Sequence, residues 1–190
     1  MQSNFLTLKE FGDFQTPIDF AEKICELVKQ KTRSEFDIIV EPTFGVGNFI
    51  FSCISVFKNA RNIFGIEINK DYFDEVKEKI AKSDQQKANS NGILLFNDDF
   101  FKFDFDLIKS GLNANDKVLL IGNPPWVTNS YLGNIESNNL PVKSNFKGFS
   151  GLDAMTGKGN FDIAESIIKS VITEFQEFDV TVAFLCKSII

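Results

Sequence analysis

Five short apolar runs alternate along this chain with segments whose apolar residues recur at helical spacing. Residues 37–41, 62–67, 93–96, 117–121 and 179–186 read as buried strands. Between them, Ile18, Ala21, Ile24, Cys25 and Val28 trace one helix face up to about Lys31, with Thr16 as N-cap and Pro17 at the first helical position. Further helices are expected over 47–57, over 71–82 with Asp71 as cap, and over 162–173. Strands separated by helices must run parallel in one sheet covered on both faces, so the expectation is an α/β fold. At 190 residues this is one domain, 1–190, large enough to bury about 70 % of the surface its unfolded chain exposes.

One strand ends abruptly. Val118-Leu119-Leu120-Ile121 runs into Gly122-Asn123-Pro124-Pro125-Trp126. Two prolines fix φ near about −65° and remove two N–H donors, leaving a stiff, extended row of carbonyl acceptors. Asn123 adds a side-chain acceptor and Trp126 a wide aromatic face. Acceptors beside a stacking plate suit a planar group that carries an amine. A bare Pro-Pro is more often only a rigid turn, and the motifs around this one decide against that reading.

A second junction follows the first strand, in Glu41-Pro42-Thr43-Phe44-Gly45-Val46-Gly47. Gly45 and Gly47 allow a tight turn and close approach of a ligand to the backbone. Glu67 ends the next strand 22 residues after Gly45, a spacing that suits a carboxylate receiving two ribose hydroxyls. The third glycine of the dinucleotide fingerprint is missing, which argues against NAD.

Composition closes off several chemistries. The chain has no histidine, which removes the commonest general base, the commonest metal ligand and any Ser–His or Cys–His pair within it; no metal site is expected. Cys25, Cys53 and Cys186 are odd in number, widely spaced and set among apolar residues, so buried reduced thiols are expected. Phe occurs 22 times, so a Phe needs motif context before it earns a role. No stretch nears the roughly 18 apolar residues of a membrane helix, and no signal-peptide pattern opens the chain; a cytoplasmic location is expected. The net charge of −6 opposes a phosphate backbone, so the main phosphate-gripping surface is expected outside these residues.

Taken in order, these motifs resemble the amino-methyltransferases that act on DNA adenine at N6, in which Asn/Asp-Pro-Pro followed by an aromatic residue is the catalytic signature. The likeness runs from about Phe11 to the last residue. It implies a Rossmann-like S-adenosylmethionine-dependent methyltransferase fold, with S-adenosyl-L-methionine as cofactor and a flipped adenine of double-stranded DNA as target. By the resemblance, Gln15-Thr16-Pro17 close over the methionine carboxylate. Glu41, Pro42, Gly45 and Gly47 surround the methionine part, Glu67 binds the ribose, and Ile68 lies against adenine. Asp99 binds the adenine amino group, chosen over Asp98 because Phe100-Phe101 follow it, and Phe100 lies beside the ring. Asn123, Pro124, Pro125 and Trp126 are the catalytic tetrapeptide, and Phe161 is the second stacking ring.

The expected chemistry needs no strong base. Acceptors at the Asn123 side chain and the Pro124 carbonyl draw the adenine amine toward tetrahedral geometry, aiming its lone pair at the sulfonium methyl. Placement of this kind supplies roughly 7–11 kcal/mol. Family members continue with two more strands and a region that reads DNA sequence, so an incomplete sheet with an exposed apolar edge is expected here, with a C-terminal recognition region or a separate specificity or restriction subunit as partner. Residues 127–160, rich in Asn, Ser, Gly and Lys, are too long for a plain connector. Two other readings stay open: protein glutamine N5-methylation, which also uses Asn-Pro-Pro to hold an amide nitrogen, and a truncated, non-catalytic cofactor-binding fragment. RNA adenine is not excluded by residues alone.

Overall fold

In the computed structural model, described here over residues 15–82, 92–126 and 163–186, five parallel strands form one sheet in the order β3-β2-β1-β4-β5. They are β1 (Ile38–Glu41), β2 (Asn62–Glu67), β3 (Gly92–Asn97), β4 (Lys117–Gly122) and β5 (Asp179–Phe184). The chain builds outward from β1 through β2 to β3, then crosses back to lay β4 on the other side of β1. The reversal places the switch point between β1 and β4, where ligands of open parallel sheets bind beyond the carboxyl ends of the strands.

Side chains alternate across the sheet, and each set meets its own layer. Ile39, Ile63, Leu119 and Ile121 pack with Ala21 and Cys25 of α1 (Ile18–Thr32), with Phe49, Ile50, Cys53 and Ile54 of α2 (Asn48–Val56), and with Val76 and Ile80 of α3 (Lys70–Lys82). Ile38, Val40, Phe64, Ile66, Val118 and Leu120 face the opposite layer. There they meet Ile108 of the short α4 (Asp106–Lys109), Ile163, Ile167 and Val171 of α5 (Ile163–Glu174), and Phe175 beyond it. Edge-to-face rings fill much of this second layer: Phe103–Phe105 at 5.1 Å and Phe105–Phe175 at 6.0 Å between centroids. The phenylalanine excess therefore goes largely into core, where offset aromatic pairs pack well.

All five strands stand where the apolar runs placed them, within a residue or two at their ends. Both outer strands are only partly covered: Leu94 of β3 and Val182 of β5 are 41 % and 44 % exposed. Three details differ. Helix α1 begins at Ile18, with Pro17 outside it and no side-chain cap; the Thr16 hydroxyl instead meets Asn123. Helix α3 is capped by Asn69, not Asp71: the Asn69 side chain accepts from the N–H groups of Asp71 at 2.9 Å and Tyr72 at 3.4 Å. Cys25 and Cys53 are buried free thiols, but Cys186 is exposed just past the end of β5. Among the described residues, no helix is long and apolar enough to cross a membrane.

Candidate active site

The carboxyl ends of β1, β2 and β4 carry the motif residues. Beyond β1 the chain turns through Gly45 (φ +53°) and Gly47 (φ +81°) into α2. Left-handed φ at both positions costs glycine little. Space is as restrictive as conformation: a Cβ on Gly47 would stand 2.8 Å from Val76 Cγ2, and one on Gly45 would stand 2.6 Å from Gln15 Oε1. Glu67, at the end of β2, clasps the turn from the side. Its Oε2 accepts from the Gly45 N–H at 2.8 Å and its Oε1 from the Asn69 N–H at 2.7 Å. A carboxylate with two oxygens retains lone pairs beyond these two bonds. Glu67 thus fixes the glycine turn and the start of α3 as well as standing where a ribose is expected.

Glu41 lies one strand over, only 3 % exposed, and its Oε2 is buried without a hydrogen-bond partner among the described residues. Burial, then the neighbouring Cys25 and Glu67, push its carboxyl well above the usual range, opposed only by the Ile50 N–H. Gly122 lies against it: a Cβ there would stand in ordinary contact with Glu41 Cγ, at 3.4 Å. Thr43 Oγ1, two residues along, is likewise buried and unpaired among the described residues. Buried polar atoms without partners are rare and ask for an explanation. Both stand at the carboxyl end of β1, beside the switch point.

Past β4, Asn123 and Trp126 are partly exposed and Pro124 is buried. The Trp126 indole donates to Asn123 Oδ1 at 2.9 Å. Asn123 Nδ2 donates to Thr16 Oγ1 at 3.2 Å. Thr16 is 8 % exposed, and its carbonyl accepts from Asn48 Nδ2 at 2.7 Å, while Gln15 Oε1 accepts from the Val46 N–H at 3.1 Å. Residues 15–17 therefore lie as a strap across the glycine turn, touching the tetrapeptide beyond it. The structure brings Gln15, Thr16, Pro17, Glu41, Pro42, Gly45, Gly47, Glu67, Asn123, Pro124, Pro125 and Trp126 to one end of the sheet.

The adenine side is less open than the sequence suggests. Ile68 is 42 % exposed and offers a surface beyond β2. Phe100, by contrast, is 6 % exposed and packs edge-on against Phe101 and Phe105, so it lines the core and not an open stacking face. Asp99 pairs with Lys102 at 3.0 Å and accepts from the Phe101 N–H at 3.1 Å, while Asp98 is exposed and caps the Asp99 N–H at 2.7 Å. Phe161, Phe14 and residues 127–160 lie outside the described residues. Sequence reasoning missed Asn48 and Gly122. Their only signal was position, Asn48 directly after the second loop glycine and Gly122 directly before the tetrapeptide.

No protein-family model matches the chain. It is 46 % identical over 183 residues to the type II methyltransferase M.NspV of Nostoc sp. (strain ATCC 29411 / PCC 7524), a match covering 96 % of this chain and 36 % of that protein. It is 33 % identical over 118 residues to the type II methyltransferase M.CvrRI of Paramecium bursaria Chlorella virus XZ-6E, covering 62 % of this chain and 25 % of that one. The chain thus spans about a third or less of the length of these curated relatives. Two solved structures share the fold at a TM-score of 0.53 over 90 % of this chain. One is the type I restriction-modification methyltransferase subunit from Streptococcus thermophilus, at 14 % identity with 34 % of that chain covered. The other is a class I S-adenosylmethionine-dependent methyltransferase from Listeria monocytogenes, at 12 % identity with 46 % covered. Together with the sheet order, they make this a Rossmann-like α/β fold.

Proposed function

From a chain that is a relative of type II methyltransferases, we propose the catalytic part of a DNA methyltransferase, 1–190, which uses S-adenosyl-L-methionine to methylate adenine at N6 within a restriction-modification system. The observation that carries this reading is the position of Asn123. It stands at the carboxyl end of β4, beside the switch point, and is tied through Thr16 to the strap over the Gly45–Gly47 turn. A cytoplasmic enzyme acting on double-stranded DNA, with recognition residues supplied by further chain or a separate subunit, belongs to the same reading.

The residues at hand fit the cofactor. The unpartnered Glu41 oxygen suits an ammonium group, Glu67 suits a ribose diol, and Ile68 suits the face of an adenine ring. When bound, the cofactor supplies an electrophilic methyl on sulfur. The rest falls to the protein. Trp126 offers an aromatic face on which a flipped base regains about 1–3 kcal/mol of stacking. Asn123 Oδ1 and the Pro124 carbonyl accept the two amine hydrogens. Oδ1 already receives the Trp126 indole N–H, and a carbonyl oxygen has two lone pairs, so one bond to the base can be added without losing the first. The nitrogen is held with its lone pair toward the cofactor side, and its surplus proton passes to solvent water after transfer, with no histidine required.

Transfer of labelled methyl from S-adenosylmethionine to duplex DNA tests the proposal, with the product nucleoside identified. Labelled N6-methyladenine, lost in Asn123→Ala, is the expected result. Label in RNA or in protein glutamine, or cofactor binding without any transfer, would replace the reading.

A further inference from the structure

The amide of Asn123 is oriented from both ends. Indole N–H is only a donor, so the 2.9 Å contact with Trp126 requires Oδ1 to face the ring. Nδ2 must then face Thr16, whose Oγ1 accepts at 3.2 Å across 107 residues of sequence. The same Thr16 gives its carbonyl to Asn48 Nδ2 at 2.7 Å, at the start of α2 just beyond the glycine turn. Its hydroxyl is not used as a helix cap, although it stands beside a helix start. One nearly buried residue thus has its backbone bound to the turn on the cofactor side and its side chain bound to the amide on the target side.

We propose that Thr16 is the positioning residue for Asn123: its hydroxyl fixes the amide plane so that Oδ1 meets the target amine, and it transmits the placement of the strap over the glycine turn to the tetrapeptide. This rests on the function proposed above. Thr16 touches neither the reacting nitrogen nor the methyl, so its effect is on alignment, and misalignment of a reacting group is costly even when binding is intact.

The chain has a single tryptophan, so its one indole N–H resonance reports the Asn123 contact directly. Nitrogen-15 NMR of the chain is run for the unaltered protein, Thr16→Val, Thr16→Ser and Asn123→Ala. Thr16→Val keeps the shape and removes the acceptor. Its indole resonance is expected to move toward the Asn123→Ala position, while Thr16→Ser holds the original one. An unmoved resonance in Thr16→Val overturns the proposal. In methyl transfer, Thr16→Val should lower kcat by about tenfold, as for loss of one hydrogen bond that acts on alignment. Thr16→Ser should recover most of the rate. A Thr16→Val loss confined to cofactor KM means that Thr16 merely supports the strap, and it also overturns the proposal. Retained transfer in Asn123→Ala sinks the functional reading instead, and the resonance comparison then decides the tie by itself.

Discussion

The indole Nε1–H of Trp126 donates to Oδ1 of Asn123 at 2.9 Å, within a single tetrapeptide. Under the proposed function, the aromatic residue at this position has two jobs that can be separated, a face for stacking and an edge for holding the amide. Trp126→Phe keeps the face and loses the edge, so KM for target DNA should stay within about twofold while kcat falls by about fivefold, the loss of one neutral hydrogen bond. Trp126→Ala loses both, and the missing stacking should raise KM for DNA by a factor equivalent to about 1–3 kcal/mol. Steady-state methyl transfer on both variants separates the two.

Under the proposed function, Glu41 makes the fold and the cofactor compete for a proton. Its carboxyl titrates above the ordinary value of 4.5 in the ligand-free protein, chiefly through burial. The sign follows from linkage: the native state holds the proton more tightly than the unfolded chain, so the stability this group contributes is complete below the unfolded value and is lost as pH rises through the native one. Glu41→Gln should flatten that decline in denaturant titrations run upward from the ordinary value of 4.5. A cofactor ammonium has the opposite effect and favours the ionised form, so binding should release protons. Calorimetry in buffers of different ionisation enthalpy should detect that release, absent in Glu41→Gln, along with an affinity loss of about 1.5–3 kcal/mol for one charge-assisted hydrogen bond.

Gly47→Ala should destabilise the fold by about 1–3 kcal/mol, since an L residue at φ +81° is strained and its Cβ would stand 2.8 Å and 2.9 Å from the two Val76 methyl groups. Thermal unfolding measures the loss. A variant as stable as the parent would mean that the turn differs from the one described.

Away from the site, Arg61 and the Asn113 backbone and side chain share the buried Asp116 carboxylate. Burial works against the ionised form of Asp116, yet the guanidinium and the Asn113 donors hold it below the ordinary 3.8. Stability from this group is therefore present above that value and is lost as pH falls through the native one. Arg61→Ala should cost about 1–3 kcal/mol near neutral pH, with the difference from the parent shrinking on acidification below about pH 4. Parallel denaturant curves at the two pH values check it.

Much of this was legible in residues alone because strands in parallel sheets are dense apolar runs and their ends are abrupt. The apolar run 62–67 and the strand Asn62–Glu67 coincide to the residue. Helix starts were harder. Several polar residues stand near each one, and whether Thr16 or Asp71 caps depends on the direction in which the chain arrives, which is set by distant contacts. The four-residue α4 has too few turns to leave a period. Cys186 shows the same limit: an apolar neighbourhood in sequence does not say where a sheet edge opens.

By itself, the order of residues determined that β1 and β4 would each end in a motif, one a glycine turn and the other a proline-stiffened row of acceptors, because local stereochemistry at Gly45, Gly47, Pro124 and Pro125 has few alternatives. Only the tertiary structure decided that these two ends are neighbours. β4 pairs with β1 after two intervening strands, and that crossing brings Thr16 against Asn123 and Gly122 against Glu41. Local preference shapes each end; packing of the whole sheet is what sets them a hydrogen bond apart.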